Sequence, residues 1–493
     1  MESAPAQPQP DAPAPNPRKP IRPLWLAVWL FSGCLVLAGI LYALWPAYER
    51  SRWLKVKAAW DNGPGLRYAK PPKPRPPDDR NVAMHPLFRD CGVDGRKAHE
   101  RLLAARPERP DPADAADGDA FGYLDLRGLQ GKKGENLEDV ARRLEAFFAT
   151  DATLESDFDD AMTRPVCWWS GPPPPGQFKE DPQVDCLNAL SERFQLRALS
   201  EGVLGHHDEA LRSLLRIEQL ATKTRADERT ISALVAIASF RQFHACALHG
   251  LRMGWWDAEA REHIRQAVAA EMDGPGRISP ALRIEMLDLA DMAVFYGEKG
   301  EFHPGDIGVL GSIRGMANEI FAKVLPSTAF GYRFARGTYE RCFPLASTDV
   351  VDWKMVLDWD NESGRLYDEL DRPGAVLDLG KIIVPSPSRF MHSCFLVEAE
   401  RRALLTFLAA ERYRDAHGSY PPDAGTLSAE LKSGWPLDPI DGKPIRYALR
   451  PDGFPKVWSV GGDGVDDGGK PGTKPYGDDG DWIWPPETTK ARR

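Results

Sequence analysis

Between Leu24 and Trp45 the chain carries 22 consecutive residues without a charge, and no other feature constrains its fold as strongly. At ~1.5 Å per helical residue, such a run spans a hydrocarbon core of about 30 Å. In lipid the backbone has to satisfy its own polar groups, so the run is expected to be a helix. Trp25, Trp29, Tyr42, Trp45 and Tyr48 gather toward its ends, where indole and phenol rings sit between lipid and water. A cleaved signal peptide has a shorter apolar stretch and a small-x-small exit; here the exit is Ala43-Leu44-Trp45-Pro46. A buried helix of a soluble core is the other alternative, and it needs neighbours on every side. The expectation is a single retained transmembrane span over residues 24–45.

The flanks differ in composition. Between Met1 and Pro23 there are eight prolines and no aromatic residue. That leaves too little apolar surface to offset the entropy of ordering, so residues 1–23 read as a disordered tail. Residues 46–80 read as a semi-rigid linker, because Lys70-Pro71-Pro72-Lys73-Pro74-Arg75-Pro76-Pro77 favours extended backbone. Basic residues lie on both sides of the run: Arg18, Lys19 and Arg22 before it, Arg50, Arg52, Lys55 and Lys57 after it. Local positive charge alone leans toward keeping the large domain in the cytoplasm.

Residues 81–385 read as a predominantly helical domain. Leu187, Leu190 and Phe194 mark one helix, and Leu211, Leu214, Leu215 and Ile217 another, at three- and four-residue spacing. They meet at Gly205-His206-His207-Asp208-Glu209-Ala210, which reads as a helical hairpin with Gly205 as its turn and Ala198 and Ala210 as small packing residues. The roughly 34-residue period of TPR arrays does not recur, so this is hairpin packing and not a repeat array. Asp257 is placed to cap a helix over Ala258–Ala270, and Ser279-Pro280 to open another reaching about Tyr296. Helices are also expected over Gly305–Leu325 and Val350–Leu370. The longest opens at Ser386-Pro387 and runs to Ala416, with Gly418 as its stop and an apolar face of Phe390, Cys394, Val397, Leu404, Leu405 and Leu408.

Outside the span there are six cysteines, Cys91, Cys167, Cys186, Cys246, Cys342 and Cys394, and no C-x-x-C pair. Cys167 and Cys186 bracket Pro172-Pro173-Pro174-Pro175, so a disulfide there would staple an irregular loop. The alternative, in which all six are small buried hydrophobes, stays open. H-E-x-x-H and G-x-S-x-G are both missing. His206-His207-Asp208 reads as a solvated turn, and His244 and His249 do not share a helix face cleanly. Trp168-Trp169 and Trp255-Trp256 read as core plugs. A net charge of −9 with no basic aromatic patch argues against nucleic acid. Gly464 to Lys470 fits G-x-x-x-x-G-K, but Pro471 replaces the Ser/Thr and Asp466 and Asp467 would repel phosphate, so no nucleotide is expected.

The C-terminus carries the most specific pattern. Tyr413-Arg414-Asp415-Ala416-His417-Gly418-Ser419-Tyr420-Pro421 ends the long helix. Then follow Leu437-Asp438-Pro439-Ile440-Asp441-Gly442-Lys443-Pro444, Ile445-Arg446-Tyr447, Val457-Trp458-Ser459-Val460-Gly461-Gly462-Asp463-Gly464 and Asp478-Asp479-Gly480-Asp481-Trp482-Ile483-Trp484. In that order these residues resemble the globular domain of the major (G-type) pseudopilins of type II secretion. The whole chain resembles uncharacterised bacterial membrane-anchored proteins that share this ending. Two departures separate it from a polymerising pilin: no glycine-aromatic-glutamate start precedes Leu24, and about 340 residues part the span from the long helix.

The resemblance implies a pseudopilin-like domain over residues 386–487, a long helix packed on a small antiparallel sheet, followed by a tail at 488–493. Ile445–Leu449 and Pro455–Val460 supply two strands and Trp482–Trp484 a third, with Tyr420 expected to be buried near the helix end and Trp458 on the sheet. It also implies a calcium loop whose ligands are the Val460 carbonyl and the side chains of Asp463, Asp478 and Asp479. Calcium takes about six to eight oxygen ligands, and six carboxylates in one glycine-rich loop repel each other without a cation. A solvated acidic turn is the alternative. The resemblance further favours a short cytoplasmic N-terminus, and large domains translocate with little regard to local charge. The expected fold class is α+β, and the expected location is a bacterial inner membrane with the large domain periplasmic. Two functions remain in view. The first is a non-enzymatic envelope scaffold that contacts other envelope proteins. The second is an envelope enzyme, perhaps a hydrolase, with a site assembled in the helical domain. A cleft there lined by converging histidines and carboxylates favours the enzyme, and an apolar groove favours the scaffold.

Overall fold

The computed structural model describes residues 23–63, 76–89, 91, 97–105, 136–169, 183–227, 229–271, 274–302, 326–369, 381, 387–430, 434–473, 476–477 and 479–486. The tail before Pro23, the Lys70–Pro77 cluster, Pro172–Pro175, the helix expected over Gly305–Leu325, Asp478 and the tail at 488–493 lie outside these or partly so.

Helix α1 covers Pro23–Asp61 and has two unlike halves. In the first, Phe31, Leu35, Val36, Leu37, Ile40, Leu41 and Leu44 are all exposed. In the second, Glu49, Trp53 and Trp60 are buried and Val56 packs against the core. The linker expected over 46–80 is therefore corrected at its start, since residues 46–61 are helix and belong to the folded body. The cause is a stripe at positions 49, 53, 56 and 60, helical spacing that the basic residues between them disguised. Pro46 lies inside the helix and removes one backbone donor without ending it.

The stripe rests on α10 (Ser327–Ala346), where the Trp53 ring meets Tyr339 edge-on with centroids 4.7 Å apart and Trp60 meets Phe343 at 5.7 Å. Helix α10 in turn packs along α9 (Ile278–Lys299). This pair is close because Gly331 faces the Ala293 carbonyl, which a Cβ would approach to 2.3 Å. Ser279 is not the cap of α9. The helix begins one residue earlier out of a 3-10 turn, and the Ser279 hydroxyl donates to the Leu345 carbonyl at 2.7 Å.

Several of the remaining helices fall where the sequence pattern put them, and others, Lys97–Ala104 and Leu154–Met162 among them, were not read from it. Helix α2 is Lys97–Ala104, α3 Leu137–Phe148 and α4 Leu154–Met162. The expected hairpin is α5 (Gln183–Val203) and α6 (His207–Arg225), turned at Gly205 with Ala198 and Ala210 buried between its arms. Helix α7 (Thr230–Met253) packs on both. It too is long and apolar enough to cross a membrane, but 67% of its apolar window is buried, as befits a core helix. Asp257 caps α8 (Ala258–Ala270) by accepting from the Ala260 amide, and Asp352 caps α11 (Trp353–Asp368) in the same way.

Helix α12 (Pro387–His417) is the axis of the molecule, touched by α7, α8, α9, α11 and the sheet. The apolar face read from sequence is buried except for the half-buried Leu405, but so are Glu398, Glu400, Thr406 and Glu411 on its other sides. After α13 (Ala424–Glu430) come β1 (Arg446–Leu449), β2 (Pro455–Ser459) and β3 (Trp482–Trp484), an antiparallel sheet in that order. Its register pairs Tyr447 with Val457 and Trp458 with Ile483. The described residues are mostly helical with one small antiparallel sheet, in keeping with the expected α+β class.

Candidate functional site

The acidic loop between β2 and β3 is closed by its own carboxylates. Asp463 accepts from the Val465 amide at 2.9 Å and the Gly480 amide at 3.0 Å, and Asp479 accepts from the amide and hydroxyl of Thr473 at 2.9 and 3.1 Å. Asp466 accepts from the Trp458 indole, the Gly468 amide and Arg446. Val460 is buried and its amide donates to Asp438. Asp478 lies outside the described residues. Gly461 has φ 69° and a Cβ there would lie 2.2 Å from the Gly480 carbonyl, so only glycine lets the two limbs of the loop touch.

Inside this loop Asp481 is 3% exposed, and its Oδ2 takes the amides of Gly469 and Lys470 at 2.6 and 3.3 Å. Its Oδ1 has no hydrogen-bond partner. Burial pushes this carboxyl up from the usual range, against the pull of the surrounding amides. Among the described residues no three His, Cys, Asp or Glu side chains converge in a ready metal cage.

The other motif residues of the C-terminus are structural. Asp438 is fully buried and holds the end of β2: Oδ1 accepts from Ser459 and the Ile440 amide, and Oδ2 from the Val460 amide and Arg446. Tyr420 is half-buried where burial was expected; it donates to Glu411 and accepts from Arg414, tying the loop after α12 back onto the helix. Trp353 on α11 reaches across to this module, donating to the Gly462 carbonyl at 3.1 Å and packing on Phe395 and Trp482. Trp458 is half-buried on the sheet.

A pocket opens where α7, α12 and the residues after β3 meet, with about 500 Å³ of empty space, part of it continuous with solvent. Its walls are Leu248, Ala403, Leu404, Trp484 and Pro485, all buried; its mouth is Ala245, His249, Arg252 and Pro486. His244 and Glu400 stand at its base. The His244 Nε2 faces both oxygens of Glu271 at 3.0 and 3.1 Å, and its Nδ1 lies 3.8 Å from Glu400 Oε2. Arg241 in turn pairs with Glu400 at 3.1 Å. Burial on its own lowers the pKa of His244, but the two carboxylates override it and lift it to about 9. His249, by contrast, is held down to about 4 by burial and by the neighbouring Arg252.

The two histidines that spacing seemed to part thus serve one pocket in opposite charge states. Glu271 and Glu400 escaped the sequence reading, and Trp484 entered it only as the end of a strand. The one available signal was a pair of glutamates, Glu398 and Glu400, set within the apolar stretch of α12.

Other expectations resolve simply. His207 stacks loosely on Trp255 with centroids 6.4 Å apart, and His206 lies 3.8 Å from Glu145. Trp255 and Trp256 plug the core, each filling the space over a helix glycine, Gly202 and Gly250. Trp169 is buried edge-on against Phe88. All seven cysteines are free thiols. Cys186 does not join Cys167; it lies 3.5 Å from the His99 ring and shares a hydrogen bond with Cys91, which together with burial pushes the Cys91 thiol up.

No protein-family model, no curated protein and no solved structure matches the chain.

Proposed function

We propose that this is a single-pass protein of a bacterial inner membrane, with its folded body on the periplasmic side, serving as a scaffold that presents a pseudopilin-like module to other envelope proteins. One observation carries the reading: α1 is a single helix whose apolar residues from Phe31 to Leu44 stand exposed and whose second half is locked in the core. A soluble protein has no reason to extend such a surface into water. A removable leader has no reason to continue as a helix that the fold needs. The bilayer supplies the missing neighbours, and the unbroken helix transmits the orientation of the membrane to the domain.

The C-terminal module supports the second part of the reading. A long helix followed by three antiparallel strands is the arrangement the pseudopilin resemblance calls for. Calcium draws support from Asp481, which buries a carboxylate oxygen without a hydrogen-bond partner in the same loop. Val460, Asp463, Asp478 and Asp479 would hold the ion, and its charge would relieve the repulsion among the loop's carboxylates.

The enzyme reading draws on the His244–Glu271–Glu400 cluster. Against it, the His244 ring is turned to carboxylates on both sides and holds its proton up to about pH 9, which makes it a poor general base near neutrality. The pocket beside it has walls of carbon. The scaffold reading is tested by washing membranes with alkaline carbonate and then extracting with detergent. The protein should stay with the membrane through the wash and dissolve in detergent with its envelope partners crosslinked to it. Recovery in the wash would overturn the reading.

A further inference from the structure

Two thiols from distant parts of the chain meet beside α2. Cys91 and Cys186 are both buried in the same apolar core, at 3% and 0% exposed, and their thiols share a hydrogen bond. Contact of that kind leaves the sulfurs within a small side-chain rotation of the ~2.05 Å of a disulfide. Cys167, the partner that the sequence suggested for Cys186, lies near Asp227 and Lys223 instead.

The segment that ends at Cys91 has reason to be fastened. Asp78–Arg80 and Val82–Met84 are single helical turns, too short to hold themselves. They reach the body through a bridge from Asn81 to Val166, the Asn81 side chain on the Trp168 amide, and His85 on the largely exposed Asp160. A link from Cys91 to α5 would close a loop of about 95 residues, and long loops gain most from closure in the chain-entropy picture. His99 brings a ring nitrogen to 3.5 Å from the Cys186 sulfur, but among the described residues these donors do not converge as a metal cage does.

We propose that Cys91 and Cys186 are a disulfide pair, closed by a thiol-oxidase protein as the chain folds. The Cys186 thiolate attacks the disulfide of the oxidant and expels one of its thiolates. The Cys91 thiolate then attacks the Cys186 sulfur and expels the other. One S–S bond forms in this chain and one breaks in the oxidant, which leaves as a dithiol with the two electrons and two protons. In the finished fold the hydrogen bond to Cys186 and burial hold the Cys91 thiol protonated, so exchange belongs to the stage before the core closes. Only the supply of oxidant rests on the periplasmic reading, because such links persist in oxidising compartments; the choice of partners does not.

The test begins with the purified full chain in detergent, reduced and unfolded, then refolded in a buffer of oxidised and reduced glutathione. Remaining thiols are blocked with N-ethylmaleimide, and the non-reduced tryptic peptides of the monodisperse fraction are mapped by mass spectrometry. One disulfide is expected, joining the Cys91 peptide to the Cys186 peptide, in the wild type and in Cys167→Ser alike. Cys91→Ala should lack it. Reduction should lower the melting temperature of the wild type by several degrees and leave that of Cys91→Ala where it was. A refolded chain with every thiol free, a link from Cys186 to Cys167, or zinc held at one ion per chain overturns the proposal. If the link forms on refolding but is missing from chain trapped with N-ethylmaleimide in intact cells, the pair stands and the periplasmic location falls.

Discussion

Glu49 on α1 and Arg333 on α10 form a buried ion pair, with Nη1 donating to Oε1 at 3.0 Å and Glu49 only 1% exposed. Arg336 adds a second contact to the same carboxylate at 3.4 Å. The pair sits where the exposed half of α1 meets the packed half, so it fixes how the exposed half leaves the domain. Replacing Glu49 with Leu takes a buried carboxylate away from Arg333 and from Arg336, which keeps Glu340 at 2.9 Å, and breaking a buried pair costs up to about 3–5 kcal/mol. Denaturant unfolding of the purified chain should show a loss of that order for Glu49→Leu. Leu41→Ala, in the exposed half, should leave the midpoint of the domain unchanged.

Two histidines of the pocket predict a stability maximum. His244 titrates at about 9 in the fold against 6.5 unfolded, so its contribution is complete below pH 6.5 and is lost as pH rises through 9. A rise of that size corresponds to roughly 3 kcal/mol. His249 works in reverse: at about 4 in the fold, it is neutral where the unfolded chain is protonated, so stability falls as pH drops from 6.5 toward 4. Unfolding midpoints across this range should peak near neutrality. His244→Gln should flatten the alkaline limb and His249→Gln the acid limb. Limbs that both survive the two substitutions would show that other groups govern the profile.

Glycine contacts provide a paired test of the packing. Gly331→Ala places a Cβ 2.3 Å from the Ala293 carbonyl, so α9 and α10 must move apart and the melting temperature should fall by several degrees. Gly364→Ala meets nothing within 4 Å on the exposed face of α11 and should stabilise by up to ~1 kcal/mol. Equal effects at the two sites would contradict the close approach of α9 and α10.

Calcium should raise the melting temperature of the intact protein, since a ligand that binds only the folded state adds about 2.7 kcal/mol at a hundredfold excess over Kd. Magnesium should do much less, because it demands a near-ideal octahedron that a long glycine-rich loop is poorly built to impose. Asp463→Ala should remove most of the response. Asp452→Ala, in the β1–β2 turn where it accepts only from the Phe454 amide, should leave the response intact. A response shared equally with magnesium and with sodium chloride would mark plain charge screening.

Much of the fold was legible because its signals are local. The Asp257 cap, the Gly205 turn and the spacing along α12 each depend on residues close in sequence and fell where the pattern put them, whereas the three strands were expected from the resemblance. What stayed hidden depends on distant partners. The Trp53–Trp60 stripe looked like part of a basic spacer because its partner, Tyr339, lies nearly three hundred residues away. The pocket joins residues of α7, α12 and the chain after β3, and no spacing rule connects His244 with Trp484. Asp438 and Tyr420 stood out as motif letters, but only their contacts with Val460 and Glu411 reveal them as fasteners.

The central claim is that α1 crosses a membrane and carries the folded body to the far side. A reporter enzyme that is active only outside the cytoplasm, fused after Arg493, tests it most directly. The account predicts strong activity in intact cells, lost when Leu35, Leu37 and Leu41 on the exposed half of α1 are replaced by Asp. Activity from a cytoplasm-only reporter at the same position, with the periplasmic one silent, would contradict it.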